Sequence, residues 1–132
     1  MDKAGQLVAR LFLGHIFLLA GISKIGNLEG TMGYMEAMGV PGLLIYPVIL
    51  LEIAGGAAII LGFFTRLSAL GLAVFTVLAA VLFHGNVADQ MQSILFMKNI
   101  AITGGLILLV IHGAGAYSVD NRTQFAAAVR TS

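Results

Sequence analysis

Apolar residues fall in four long runs, at Leu7–Ile25, Tyr46–Phe64, Leu67–His84 and Ile94–His112, with short polar stretches between them. Each run is about as long as the roughly 20 residues a helix needs to cross a bilayer. The first run begins beside Lys3 and Arg10 and could imitate a secretion signal, but it is long for an h-region and no clear A-x-A site follows, so an uncleaved helix is expected. Pro47 is best tolerated in a helix's first turn, which starts the second helix near Tyr46. Phe63-Phe64-Thr65-Arg66 then leaves room only for a tight turn before the third.

The connections have their own patterns. In Gly26–Ile45, Leu28, Met32, Met35 and Met38 recur at helical spacing, while Glu29 and Glu36 point elsewhere. Asn27 can start such a helix and Gly39-Val40-Pro41 can stop it. A short helix lying in the membrane interface is the expectation; an irregular glycine-rich loop is its rival. Gly85–Ser93 reads as a polar loop. Gly113–Ser132 reads as a polar tail, with a weak amphipathic piece at Phe125–Val129. The predicted fold is all-α: one domain over residues 1–132, an integral membrane antiparallel four-helix bundle with a short interfacial helix between helices 1 and 2.

Composition supports a membrane location. Of 132 residues 59% are hydrophobic and only 10% charged, against roughly 25% charged in soluble domains. The lipid bilayer is therefore the first expected partner. A net charge of +1 gives no basic field for nucleic acid. With no cysteine, the chain has no disulfide, thiolate nucleophile or cysteine-ligated cluster. Four spans put both termini on one side, with Lys3, Arg10, Arg66, Arg122 and Arg130; the opposite side has Lys24 and Lys98. The positive-inside rule predicts that both termini are cytoplasmic.

Helical spacing sorts small and polar residues onto single faces. Arg10, Gly14, Phe17, Gly21 and Lys24 share one face of the first helix, and Glu52, Gly55, Gly56 and Ile59 one face of the second. The third gathers Ala69, Ala73, Thr76, Ala80 and His84, and the fourth Lys98, Ala101, Gly105 and, more loosely, His112, with Gly104 beside Gly105. Small residues let helices approach closely in lipid, so Gly14, Gly21, Gly55, Gly56, Ala73, Ala80, Gly104 and Gly105 are the predicted packing positions.

One carboxylate, Glu52, lies well inside a span. An unpaired carboxylate at that depth costs at least about 2.5–3.5 kcal/mol. Lys24, His84, Lys98 and Asn99 end or open their helices on the same predicted side, so with Glu52 they form the candidate constellation. It reads as a polar ligand pocket, as a buried clasp that sets helix register, or as lysines snorkelling to the headgroups. His15 lies about 140° from Arg10 around the first helix and faces lipid or a second subunit. No histidine pair has metal-ligand spacing. A haem held by His15 and His112 is disfavoured, and no metal site is assigned.

The segments RLFLGHIFLLAGISKIGN, YMEAMGVP, LEIAGGAAIILGFFTRLSAL, LFHGNVADQ, FMKNIAITGGLILL and GAGAYSVD, taken in order, resemble the DoxX family of small bacterial membrane proteins. The resemblance runs roughly from Val8 to Asp120. It places the family's pattern on Ala20, Gly21 and Lys24; on Glu52, Gly55 and Gly56; on Thr65 and Arg66; on His84; on Lys98 and Asn99; on Gly104 and Gly105; and on Ser118 and Asp120. It implies a four-helix inner-membrane protein. The family's name comes from a small subunit of an archaeal thiosulfate:quinone oxidoreductase, and its members are grouped with membrane redox functions.

Two functions are open on these grounds. One is an accessory subunit of a membrane oxidoreductase that binds a quinone or similar lipophilic redox ligand beside Glu52 and works with a redox partner protein. The other is a non-enzymatic scaffold or small-solute transport module, possible as a homo-oligomer, whose buried charges fix helix register. No catalytic residue is assigned.

Overall fold

The computed structural model describes residues 2–86 and 88–123. Asp2 starts α1 (Lys3–Gly26) by accepting the Ala4 N–H at 3.2 Å. The chain turns at Asn27 into α2 (Leu28–Ala37), and a short 3-10 turn at Gly42–Leu44 leads into α3 (Ile45–Leu61). α4 is Thr65–Phe83 and α5 is Gln90–His112. The four long helices are each long and apolar enough to cross a membrane. The spans differ from the expected bounds only at their ends. The Phe125–Val129 piece and Arg130 lie outside the described residues.

α1 packs mainly on α3, α4 mainly on α5, and α3 on α4, while α1 and α5 touch sparingly. The α1–α3 contact is the closest because glycines meet glycines. A Cβ on Gly56 would lie 2.8 Å from the Leu18 nitrogen and 2.9 Å from the Gly14 oxygen; one on Gly14 would lie 2.8 Å from the Gly56 oxygen. Gly55, next in sequence, faces the other way, and its Cβ would meet Leu72 of α4 at 3.1 Å. The Gly55-Gly56 pair thus lets α3 sit close to two helices. Phe17, Ile59, Ala69, Leu72, Ala73, Leu106 and Leu109 fill the buried centre. Thr103 of α5 donates to the Asn99 carbonyl at 2.8 Å, and Asn99 Nδ2 donates to the Thr76 carbonyl of α4 at 3.3 Å, which ties these two helices by a polar contact.

The expected inward faces hold on three helices. Arg10, Gly14, Phe17 and Gly21 are buried on α1; Glu52, Gly55, Gly56 and Ile59 on α3; Ala69, Ala73, Thr76 and Ala80 on α4. On α5 the expectation is corrected. Its buried face is Asn99, Thr103, Leu106 and Leu109, while Lys98, Ala101, Gly104 and His112 are exposed. Gly104 has nothing within 4 Å of its Cβ position, whereas Gly105 meets Leu13 of α1 at 3.0 Å. The real face lies one residue round from the expected stripe, because the partners of α5 are Thr76 and the core leucine layer rather than another glycine helix. α2 buries only Met35, and both Glu29 and Glu36 are exposed.

These contacts predict opposite outcomes for two glycines. Gly56→Ala pushes a methyl into the backbone of α1 and is expected to cost about 1–3 kcal/mol. Gly104→Ala meets open space and is expected to leave stability unchanged or raise it by up to about 1 kcal/mol through helix propensity. Thermal unfolding of both variants in detergent checks this; equal midpoints would refute the close α1–α3 approach.

Candidate functional site

The ends of the bundle hold two separate polar centres. At the α2 end, a cavity of about 270 Å³ lies between the helices, lined from all five of them and from His84. Lys24, Glu52, His84, Lys98 and Asn99 all line it. Most of its remaining wall is apolar, including Ile16, Phe17, Phe75 and Phe83. α2 covers this end: Thr31, Tyr34 and Met35 reach the cavity, and the Tyr34 ring stacks on Phe83 with centroids 5.6 Å apart.

Each polar group is held in its own way. Glu52 is 2% exposed, and its Oε1 lies 2.7 Å from Lys24 Nζ. The two charges are in contact, yet the approach is off the angles of a directed hydrogen bond, so Oε1 has no aligned donor. Lys24 stands over Glu52 because Gly21, one turn earlier, leaves room for the α3 backbone; a Cβ there would meet the Glu52 Cβ at 3.2 Å. Asn99 is buried, with its amide turned to the Thr76 carbonyl. His84 Nδ1 is 2.7 Å from Gln92 Oε1. With that oxygen as acceptor, Nδ1 donates and Nε2 is left for another partner. Lys98 is exposed at the cavity rim. His15 and His112 are both exposed and lie away from this cavity.

The second centre, at the opposite end, includes a residue whose role the helical spacing does not reveal. Arg10 is fully buried. Its Nη1 donates to the Ile59 and Ile60 carbonyls at 3.4 and 3.2 Å, and its Nη2 donates to the Tyr117 carbonyl. The first two are terminal carbonyls of α3, where a cation is favoured. Asp120 does the converse for α4: Oδ1 accepts the Phe64 N–H at 2.8 Å and Oδ2 the Thr65 N–H at 2.9 Å. The turn between these helices needs both. Gly62 has φ 71°, and a side chain on it would run into Arg10 and Ser118; Phe64, with φ 44°, sits in a region costly for a bulky residue. Burial alone would push the Asp120 carboxyl up, but its hydrogen bonds to Thr65 and Phe64, with the Arg10 charge, hold it below the usual carboxylate range. Thr65, Ser118 and Asp120 therefore meet as parts of a turn clasp, apart from the cavity.

Such a structure defines a class: a small membrane four-helix bundle with a charged cavity beneath α2 at one end and a clasped turn at the other. The chain belongs to the DoxX family, whose model matches residues 5–85. It is 52% identical to "Inner membrane protein YqjF" of Escherichia coli (strain K12), over 91% of this chain and 92% of that one. It is 35% identical to "Inner membrane protein YphA" of the same organism, over 88% of each chain. It is 33% identical to "Putative oxidoreductase CatD" of Bacillus subtilis (strain 168), over 80% of this chain and 84% of that one. No solved structure matches it. The family match ends just past His84, so Lys98, Asn99, Ser118 and Asp120 lie beyond it.

The clasp predicts a pH signature. A carboxyl whose folded pKa is depressed adds stability above its unfolded pKa of about 3.9, and that stability is lost as pH falls through the lower folded value. Asp120→Asn should therefore lower the melting temperature at neutral pH and flatten its fall below about pH 4. Arg10→Lys, which cannot reach three carbonyls at once, should cost about 2–4 kcal/mol. A melting series against pH measures the first, and unfolding of Arg10→Lys in detergent the second.

Proposed function

We propose that this DoxX-family protein is an inner-membrane accessory subunit of an oxidoreductase, and that its cavity holds the head of a quinone or similar lipophilic redox molecule. The observation that carries this reading is the convergence of Lys24, Glu52, His84 and Asn99, with Lys98 at the rim, on one otherwise apolar cavity. Its size of about 270 Å³ is near the lower end of the roughly 300–1,000 Å³ usual for small-molecule sites. It suits a ring head group, with a long tail left outside among the lipids. The α1–α5 side of the bundle is the least closed and offers that tail a way out.

The residues supply what quinone chemistry needs from a protein. A Lys24 or Lys98 ammonium, or the second N–H of the Asn99 amide, can donate to a ring carbonyl. Glu52 and His84 Nε2 can take up or release the protons that accompany electrons. Intramembrane ionisable residues commonly mark such sites. The electrons are assigned to a partner protein, since the chain has no thiol to provide them. The name of "Putative oxidoreductase CatD" agrees with a redox role. The names of the two Escherichia coli relatives support the inner membrane. The basic residues at the α3–α4 turn and near both termini support cytoplasmic termini, with the cavity in the outer half.

The competing reading is a non-enzymatic scaffold or solute module. It draws on the same Lys24–Glu52 contact, taken purely as a register clasp between α1 and α3. Protein purified from membranes separates the two. Lipid extracts and absorbance spectra should reveal bound quinone in the wild type and its loss in Glu52→Gln, with the helical content of the variant intact. Wild-type protein free of quinone, and unable to take up an added short-chain quinone, would favour the scaffold.

A further inference from the structure

Charge does not balance around the cavity. Two ammonium groups, Lys24 and Lys98, face one carboxylate. That carboxylate is already engaged, since Glu52 Oε1 is 2.7 Å from Lys24 Nζ. Among the described residues Lys98 has no acidic partner. The neighbouring polar groups do not provide one: the Asn99 amide donates to Thr76, and His84 shares its Nδ1 with Gln92.

Position makes this excess matter. Lys98 is four residues after Ile94, where the apolar run of α5 begins, about 6 Å along the helix axis at 1.5 Å per residue. Its neighbour Asn99 points inward, which sets Lys98 at the cavity rim about 100° round the helix. The Lys98 side chain is exposed and lines the cavity, beside a wall that is mostly apolar. An uncompensated cation at the edge of an apolar cavity draws an anion. A neutral ring carbonyl answers it with a dipole alone, whereas an ionised ring oxygen answers with a full charge and a charge-assisted hydrogen bond.

We infer that the cavity selects lipophilic ring ligands that carry an ionised oxygen, of the hydroxyquinone or phenolate class, over neutral quinones of the same size, and that Lys98 sets this preference. The inference rests on the ring-binding reading above and narrows it. Lys24 is not equivalent to Lys98, because its charge is spent on Glu52.

The test compares two probes on the full chain in lipid nanodiscs, at mildly alkaline pH. One is a 2-hydroxy-3-alkyl-naphthoquinone, ionised under these conditions. The other is its 2-methoxy ether, nearly the same shape but neutral. The wild type is expected to bind the ionised probe about tenfold or more tightly than the ether. Lys98→Met should bring the two affinities close together by weakening the ionised probe far more than the ether, and Lys98→Arg should keep the preference. A wild-type thermal unfolding midpoint in the same nanodiscs shows that Lys98→Met is still folded. Equal affinities in the wild type, or an unchanged ratio in Lys98→Met, would overturn the inference and leave the ring-binding reading standing. Failure of the wild type to bind either probe would overturn both.

Discussion

Lys24 reaches Glu52 because α1 and α3 touch backbone to backbone. Gly14 and Gly56 bring the two helices together near their middles, and Gly21 keeps them close one turn below the ion pair. In lipid the hydrophobic effect does not press helices together, so contact depends on close van der Waals fit and polar links. A single added methyl along this seam would move the two charges apart and leave a carboxylate in an apolar surround. The ion pair and the seam thus depend on each other: glycines permit the approach, and the paired charge makes the burial of Glu52 tolerable.

The far end of the bundle uses charge differently. There the α3–α4 turn is so short that α3 stops and α4 starts within three residues, Gly62 to Phe64. Two helix ends side by side leave free carbonyls and free amides together. Arg10 serves the carbonyls and Asp120 the amides, each at the helix end where the backbone dipole favours its sign. These side chains come from the first helix and from the segment after the last. The turn therefore also anchors the start and the close of the described chain to the bundle's middle helices.

Between these two centres the division of labour is clear. The clasp end spends its charged groups on the backbone: Arg10 donates to carbonyls of α3 and of Tyr117, and Asp120 accepts the first amides of α4. The cavity end keeps charged groups around open space beneath a helix, α2, that buries only one residue. Weakly anchored elements beside polar cavities are where ligand-binding regions usually lie. That contrast is why the α2 end, and not the clasp, is read as the functional one.

Much of this could be read along the chain, and the reason is local. Four runs of membrane length are a matter of composition, and a stripe of small and polar residues at period 3.6 marks an inward face whichever helix it meets. Hence the faces of α1, α3 and α4, and the set of residues around Glu52, follow from spacing and from which helix ends share a side. On α5 the same reasoning slips by one residue: Lys98 and the Gly104-Gly105 pair point to one face, while the packed one carries Asn99, Thr103 and Leu106. A helix that is apolar nearly all round has no strong periodic signal, so its rotation is chosen by the neighbours it packs on. The Asp120 bonds to Phe64 and Thr65 span more than fifty residues of sequence. Periodicity cannot register contacts of that range; they exist because the folded bundle brings the end of α5 back to the turn where α4 begins.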